Sequence, residues 1–245
     1  MGYRAKLGIW QSEMDDRLLV KAWRMIGLNR QKLIAWPRKY LWNAPRGLFY
    51  KLTRDSDAMM RAFIDGKSVA LVGNAQSLLG AGLGTRIDQH DVVIRMNKGF
   101  VTDPASQGTR TDIVTLTPEL TEEDVVEKFK PKLFLFLIHR LRHFNIKTPE
   151  NLKRTAFYAH RYWFADRTKI GRRPSSGYMM ISYLLRLNCA KDITLYGFDF
   201  GKTPTFYNPV GYQTPHDFHA EGRIIREYVK SGKINLSSPF IGQHG

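Results

Sequence analysis

The chain has 245 residues, 43% of them apolar and 12% aromatic, and its formal net charge is +16. This content suffices for one sizeable core, so it excludes a disordered chain and favours one α/β domain over two. The positive charge predicts an anionic partner, such as nucleic acid, an acidic membrane or an anionic glycan. A single cysteine leaves no intrachain disulfide and favours a reducing compartment.

Residues 1–66 form a basic, tryptophan-rich segment, which we separate from the domain predicted over residues 67–245. Between Asp16 and Asp55 there are ten lysines and arginines and no acidic residue, and four of the five tryptophans precede residue 43. Three interpretations are open: helices lying in an anionic membrane interface, helices packed on the core, and nucleic-acid contact. We prefer them in that order, since no nucleic-acid fold signature is present. No apolar run is long enough for a membrane span, and no signal-peptide pattern opens the chain.

Two apolar runs in the middle of the chain each lead to an asparagine. The run Val69–Val72 predicts a buried strand that ends in a turn at Gly73, and Asn74 follows. The run Val92–Ile94 leads to Asn97 in the same way. Ligands of open α/β sheets bind at the carboxyl ends of the strands, where an amide can recognise a base or a sugar.

Strand and helix patterns alternate through the remaining chain. Further strands are predicted at 112–117, 132–138, 155–159, 193–196 and 233–236. Helices are predicted at 55–66, 121–129, 149–154, 178–188 and 220–230. This alternation predicts a doubly wound, mainly parallel sheet with helices on both faces.

Two further segments bring polar groups to the same edge of the sheet. Pro174–Gly177 precedes a helix, and a helix amino-terminus is a natural phosphate site, although a plain serine cap is the competing interpretation. The strand at 193–196 ends at Gly197–Asp199. His216 and Glu221 stand at the start of the last predicted helix, and histidine titrates near neutral pH, as a general base requires.

These segments resemble the sialyl motifs of the eukaryotic-type sialyltransferases, glycosyltransferase family 29. The large motif resembles four segments here: Ala70–Asn74, Gly80–Gly84, Ile94–Asn97 and Gly108–Thr111. The small motif resembles Pro174–Gly177 with Tyr196–Phe198, and the final motif resembles His216 with Glu221. The resemblance implies a Rossmann-like, single-domain enzyme that transfers a sugar acid, sialic acid or Kdo, from a CMP-linked donor to a glycan hydroxyl with inversion.

The resemblance also implies roles for individual residues. Eight residues would bind the CMP donor: Asn74, Asn97, Ser175, Ser176, Gly177, Gly197, Phe198 and Asp199. His216 would be the general base, preferred to His219, and Glu221 would orient or cap rather than catalyse. Tyr207 or Tyr212 would bond the leaving phosphate. No carboxylate cluster has metal-ligand spacing, so we predict an enzyme that needs neither metal nor cofactor.

One departure from the family pattern bears on the location of the protein. A disulfide joins the two main motifs in the animal enzymes, but Val69 occupies one of the two positions here, and only Cys189 is present. We therefore expect a bacterial enzyme of polysaccharide biosynthesis in the cytoplasm, peripheral to the inner face of the membrane. Its acceptor would be an anionic or membrane-linked glycan, and nucleic acid is not expected as a partner.

Two other classes of protein remain as alternatives. Gly80–Gly84 suggests a nucleotide-dependent oxidoreductase, although these glycines come late after the strand and no ribose-binding acid follows at the expected offset. The other alternative is a non-catalytic basic protein that binds membrane or nucleic acid.

Overall fold

The structure, a computed structural model, describes residues 38–116, 118–138, 140–208 and 214–237. Seven parallel strands form its centre. They are β1 (Ser68–Val72), β2 (Val92–Met96), β3 (Ile113–Thr115), β4 (Leu133–Phe136), β5 (Thr155–Phe157), β6 (Asp192–Tyr196) and β7 (Asn235–Ser237). Their order is β5-β4-β3-β2-β1-β6-β7, so the chain builds outward from β1 on one side and then returns to its other side. The carboxyl ends of β1 and β6 meet at this reversal, which is where such sheets bind ligands.

Nine α-helices connect or flank these strands within the described residues. They are α1 (Ala44–Leu52), α2 (Ser56–Ile64), α3 (Gly84–Asp88), α4 (Pro104–Gln107), α5 (Glu122–Phe129), α6 (Pro149–Lys153), α7 (His160–Ile170), α8 (Ser176–Leu187) and α9 (Phe218–Lys230). A π-helical turn, Arg38–Asn43, leads into α1, and short 3₁₀ turns lie at Gln76–Leu78 and Leu141–His143. Thr121 begins α5 with a capping box to Asp124, the arrangement expected of a threonine followed by acidic residues.

Apolar side chains cover both faces of the sheet. On one face, Leu71, Ile94 and their neighbours pack against α2, α7, α8 and α9. On the other face, α5 and α6 pack over the strands from β3 to β5, and α3 packs over β1 and β2. The predicted doubly wound parallel sheet is confirmed, because every strand is parallel to its neighbours and helices lie on both sides.

Each strand predicted from an apolar run is present, with ends that differ by a few residues. Helix α7 was not predicted, and neither were the short α3 and α4. Helix α7 lacks a side-chain cap at its start, and one of its three buried residues is the carboxylate Asp166. It therefore shows little of the apolar periodicity that identifies a surface helix.

The amino-terminal segment is described only from residue 38 onward. The described residues therefore do not include the apolar pattern around Leu18–Ile26. They also do not include three tryptophans of the segment, Trp10, Trp23 and Trp36. Met60 and Ile64 of α2 are fully buried, so this part of the segment packs on the core. Within the described ranges, none of the helices combines the length and apolar content of a membrane span.

Candidate active site

The floor of the site is a close crossing of two backbone turns, one after β1 and one after β6. The amide of Gly73 donates to the carbonyl of Tyr196 at 2.7 Å. A Cβ on Gly73 would collide with the carbonyl oxygen of Gly197, and Gly197 itself has a left-handed φ of 65°. Only glycine fits both positions, because one lacks space and the other needs positive φ.

A cavity of about 450 Å³ opens above this crossing. It is bordered by eleven of the residues that the sequence analysis singled out: Asn74, Asn97, Ser175, Ser176, Gly177, Gly197, Phe198, Asp199, Tyr207, His216 and Glu221. The structure thus brings together in one cleft residues that lie between Asn74 and Glu221 in the sequence. Tyr212 lies outside the described residues, and His219 does not line the cavity.

The two asparagines lie side by side at the ends of β1 and β2. The side-chain amide of Asn74 donates to the carbonyl of Met96 at 3.0 Å, which uses part of its hydrogen-bonding capacity. The backbone carbonyl of Asn74 accepts the amide of Phe206 at 3.0 Å. Asn97 has a left-handed φ of 55°, a conformation that asparagine tolerates well, and its side chain is half-buried at the cavity.

The carboxylate of Asp199 serves the loop in which it lies. It is buried and accepts hydrogen bonds from Ser77 Oγ, from the Gly201 amide and from both the amide and hydroxyl of Thr203. These donors satisfy a buried charge that would otherwise be costly. Asp199 therefore shapes the floor of the cavity by holding the loop after β6 against the turn after β1.

Ser175 and Glu221 form the contact between α8 and α9. Ser175 caps α8 by accepting the amide of Tyr178 at 3.1 Å, and its own amide and hydroxyl donate to the two carboxylate oxygens of Glu221 at 2.7 and 2.6 Å. Burial raises the pKa of Glu221 to about 7, while these hydrogen bonds act in the opposite direction. The hydroxyl of Ser175 is thus committed to the protein, which leaves the amides of Ser176 and Gly177 at the open end of α8.

His216 is held in a defined tautomer at the cavity wall. Its Nδ1 lies 3.0 Å from the carbonyl oxygen of Arg173. A carbonyl can only accept, so Nδ1 carries the proton and Nε2 of the neutral ring carries the free lone pair. Burial lowers the pKa of His216 below its ordinary value, which keeps the ring neutral near pH 7.

His219 lies one helical turn further along and has different surroundings. Its side chain is exposed on α9, where Nδ1 lies 3.3 Å from the guanidinium of Arg223. Of these two histidines, only His216, which was preferred from its spacing to Glu221, borders the cavity.

A second cavity, of about 510 Å³, adjoins the first. The two cavities share five residues, which form the wall between them: Asn97, Ser176, Tyr207, Asn208 and His216. The second cavity is otherwise lined by the ends of β3 and β4, by Trp163 of α7 and by three charged residues, Lys98, Glu119 and Arg173. Lys98 and Glu119 form an ion pair with each other.

Sequence reasoning missed most of this second cavity. Trp163 is a mostly buried residue of an unpredicted helix, and Lys98 and Glu119 belong to loops without any motif. It also missed Thr203–Thr205, which the structure joins to the loop after β1 through the amide of Gln76 and the bridge between Ala75 and Thr205. No local signal marks these residues, because only the tertiary fold brings them to the site.

The glycines Gly80, Gly82 and Gly84, on which the oxidoreductase alternative was based, do not border the cavity. The amides of Gly80 and Gly82 donate to the side chains of Asp103 and Ser106. A Cβ on Gly84 would collide with the backbone of α4. Gly84 thus allows α3 and α4 to pack closely, and the oxidoreductase alternative loses the phosphate-binding turn on which it was based.

Cys189 is a free, half-buried thiol whose pKa is raised by burial. Within residues 38–116, 118–138, 140–208 and 214–237, no group of three or more histidines, cysteines and carboxylates has the arrangement of a metal site.

Comparison with known proteins agrees with this geometry. The family model for "Glycosyltransferase family 29 (sialyltransferase)" matches residues 48–137. A curated relative from Sus scrofa, CMP-N-acetylneuraminate-beta-galactosamide-alpha-2,3-sialyltransferase 1, is 28% identical over 177 residues, which cover 62% of this chain. The matched part of the chain spans 50% of the length of that relative.

Solved structures show the same architecture. A mammalian sialyltransferase aligns with a TM-score of 0.60 and 20% identity over 86% of each chain. A mammalian sialyltransferase in complex with Gal-beta-1-3GalNAc-ortho-nitrophenol aligns with a TM-score of 0.57, again at 20% identity over 86% of each chain. Residues 48–137 are thus similar to glycosyltransferase family 29, and the fold of the chain resembles that of the mammalian sialyltransferase structure.

Proposed function

We propose that the protein transfers a sugar acid from a CMP-linked donor to a hydroxyl of a glycan, with inversion at the anomeric carbon. The observation that carries this proposal is the position of His216 in the wall shared by two cavities, with Nδ1 tied to a carbonyl and Nε2 able to accept a proton. The similarity to a sialyltransferase named for CMP-N-acetylneuraminate supports CMP-sialic acid as donor ahead of CMP-Kdo.

The reaction needs one base and one stabilised leaving group. An acceptor hydroxyl oxygen attacks the anomeric carbon and loses its proton to Nε2 of His216. The new glycosidic C–O bond forms as the bond from the anomeric carbon to the CMP phosphate oxygen breaks, with its electron pair going to the phosphate. Attack from the face opposite the leaving group inverts the configuration.

The first cavity suits the donor. Ser176 and Gly177 are the first residues of α8, so their amides and the positive end of the helix can receive the phosphate and stabilise its charge as it leaves. Asn74 and Asn97 at the strand ends suit the cytidine and ribose, whose edges carry both donors and acceptors. Tyr207 borders both cavities, and we assign to it the hydrogen bond to the leaving phosphate.

The second cavity suits the acceptor. It borders His216, as the first cavity does, and Trp163 offers an aromatic surface of the kind that packs against sugar rings. Arg173 adds a positive charge, which would favour an anionic glycan. We include in the proposal a peripheral contact with anionic membrane at its inner face, through which a membrane-linked acceptor would reach this cavity.

Metal independence is part of the proposal, since the helix amino-terminus can take the role of charge stabilisation. The test is a transfer assay with purified protein, CMP-sialic acid or CMP-Kdo, and a galactose-terminated acceptor, with and without EDTA. We expect product from CMP-sialic acid at an unchanged rate in EDTA. Transfer from neither donor would contradict the proposed function, and loss of activity in EDTA would contradict metal independence.

A further inference from the structure

An ordinary surface helix turns its apolar side chains toward the core and its charged ones toward solvent. Helix α1 has the reverse arrangement. The cations point inward: Arg46 donates to the carbonyl of Ile146, and Lys51 donates to the carbonyl of Tyr158 at 3.0 Å. Burial lowers the pKa of Lys51 to about 8. Gly47 is the buried contact point of the helix and lies against Phe144.

The outward side is apolar. Ten large apolar side chains are exposed among the described residues, and six of them lie in this short segment, which we call the apolar face: Tyr40, Leu41, Trp42, Leu48, Phe49 and Leu52. Leu52 is 74% exposed, Leu41 68%, Trp42 63% and Phe49 60%. Leu41, Leu48 and Leu52 are separated by seven and four residues, which places them along one side of this helical segment. Trp42 and Phe49, also seven residues apart, extend the same side. A continuous apolar stripe of this kind marks an interaction surface, whereas scattered exposed residues do not.

The charge of the residues around the apolar face indicates what kind of partner covers it. No acidic residue lies between Asp16 and Asp55, while ten lysines and arginines do. Lys39 is exposed beside the apolar face, and the guanidinium of Arg142 stacks on Tyr40 at 5.6 Å. Tryptophan, tyrosine and leucine beside outward cations such as Lys39 match the interface of an anionic bilayer, where the rings lie at the headgroups and these cations meet lipid phosphate.

We infer that the apolar face is a docking surface for anionic lipid, on which the protein lies with α1 parallel to the membrane. The start of α1 also fixes which end of the sheet meets the bilayer. Asn43 donates to the carbonyl of Arg142, in the turn that follows β4. Leu137 and Ile138 just before that turn line the second cavity, so the docked protein holds this cavity near the lipid surface. The last step rests on the proposed function, whereas the docking itself does not.

The test is cosedimentation of the full chain with vesicles of phosphatidylcholine and phosphatidylglycerol in equal parts, and with vesicles of phosphatidylcholine alone. The variant carries Leu41→Ser, Trp42→Ser and Phe49→Ser. A matched control carries Val126→Ser and Phe164→Ser, exposed apolar residues outside the apolar face. We expect binding to the mixed vesicles that weakens in about 1 M salt, where the Debye length is about 3 Å. The variant should bind at least about tenfold more weakly, because each residue loses apolar contact with the bilayer, and the control should bind like wild type.

The alternative occupants give different results. Wild type that does not bind the mixed vesicles, or a variant that binds as well as wild type, would overturn the inference. Light scattering that shows a wild-type dimer and a monomeric variant would assign the face to a second copy.

A Leu52→Ser variant should keep its melting temperature without lipid. A fall of several degrees would instead show that the chain itself covers the face, for example with residues 1–37. A triple variant that loses vesicle binding but still transfers sugar to a soluble acceptor would support docking. A protein that binds the vesicles but transfers no sugar would contradict the proposed function and would support docking.

Discussion

The floor and the wall of the candidate active site are built by different means. The floor, Gly73 and Gly197 with Asp199, is rigid packing: two backbones touch and a carboxylate is satisfied by four donors. The wall contains two titratable groups, His216 and Glu221, and burial lowers the pKa of the histidine and raises that of the carboxyl group. Ser175 joins Glu221 to α8 through two hydrogen bonds. Changes to the floor should therefore damage fold and site together, while changes to the wall should alter chemistry in an intact fold.

The largest expected effect is on the wall. His216→Ala should lower kcat for sugar transfer by roughly 10²- to 10⁴-fold, the range for loss of a general base, while the melting temperature stays close to that of wild type. His219→Ala is the matched control, since that exposed histidine does not border the cavity. Equal losses in the two variants would refute the assignment of the base.

The next effect is on the floor. Gly197→Ala should lower the free energy of unfolding by roughly 2–4 kcal/mol, because the new Cβ meets Leu78 at 3.0 Å and the backbone φ is 65°. Gly80→Ala separates the two causes: its φ is 73°, but a Cβ there meets nothing within 4 Å, so about 1 kcal/mol is expected. Denaturant unfolding measures both, and equal losses would show that the crossing of the two turns is not tightly packed.

A smaller effect is expected where the wall holds the amino-terminus of α8. Glu221→Gln keeps one oxygen that can accept the amide of Ser175 but places an NH₂ donor where the second oxygen accepted the hydroxyl of Ser175, so the open end of α8 should be less ordered. The affinity for CMP should fall about tenfold, the equivalent of about one lost hydrogen bond. Glu227→Gln, exposed on the same helix, should leave CMP affinity unchanged in a calorimetric titration.

The smallest effect concerns pH. The pKa of His216 is lowered, so the base stays neutral as the pH falls through about 6.5. We therefore expect kcat/KM to stay constant through this range and to decrease only at lower pH.

Glu221 should make the stability of the protein depend on pH. Its raised pKa means that the folded state binds the proton more tightly, so its contribution to stability falls as the pH rises from about 4.5 to about 7. In Glu221→Gln this decrease should be absent from melting temperatures measured across that range.

The strands that form the floor could be predicted from sequence, and so could the identity of His216, Ser175 and Glu221 in the wall, whereas the contacts that join these residues could not. Short apolar runs that end in glycine or asparagine identify β1, β2 and β6, and their carboxyl ends locate the cleft. Motif spacing selected His216 but could not exclude His219, because the difference lies in a hydrogen bond to Arg173, more than forty residues away. The bond between Ser175 and Glu221, the second cavity and the outward apolar face are tertiary features without a local pattern.

The central claim is that the first cavity binds CMP and that His216 acts on a substrate bound beside it. The most direct measurement is a thermal shift of wild type and His216→Ala with CMP, CDP, UDP, GDP and NAD, combined with the rate of donor hydrolysis. We predict that CMP stabilises both proteins selectively and that hydrolysis is lost only in the variant. No response to CMP, or a stronger response to UDP or NAD, would contradict the claim.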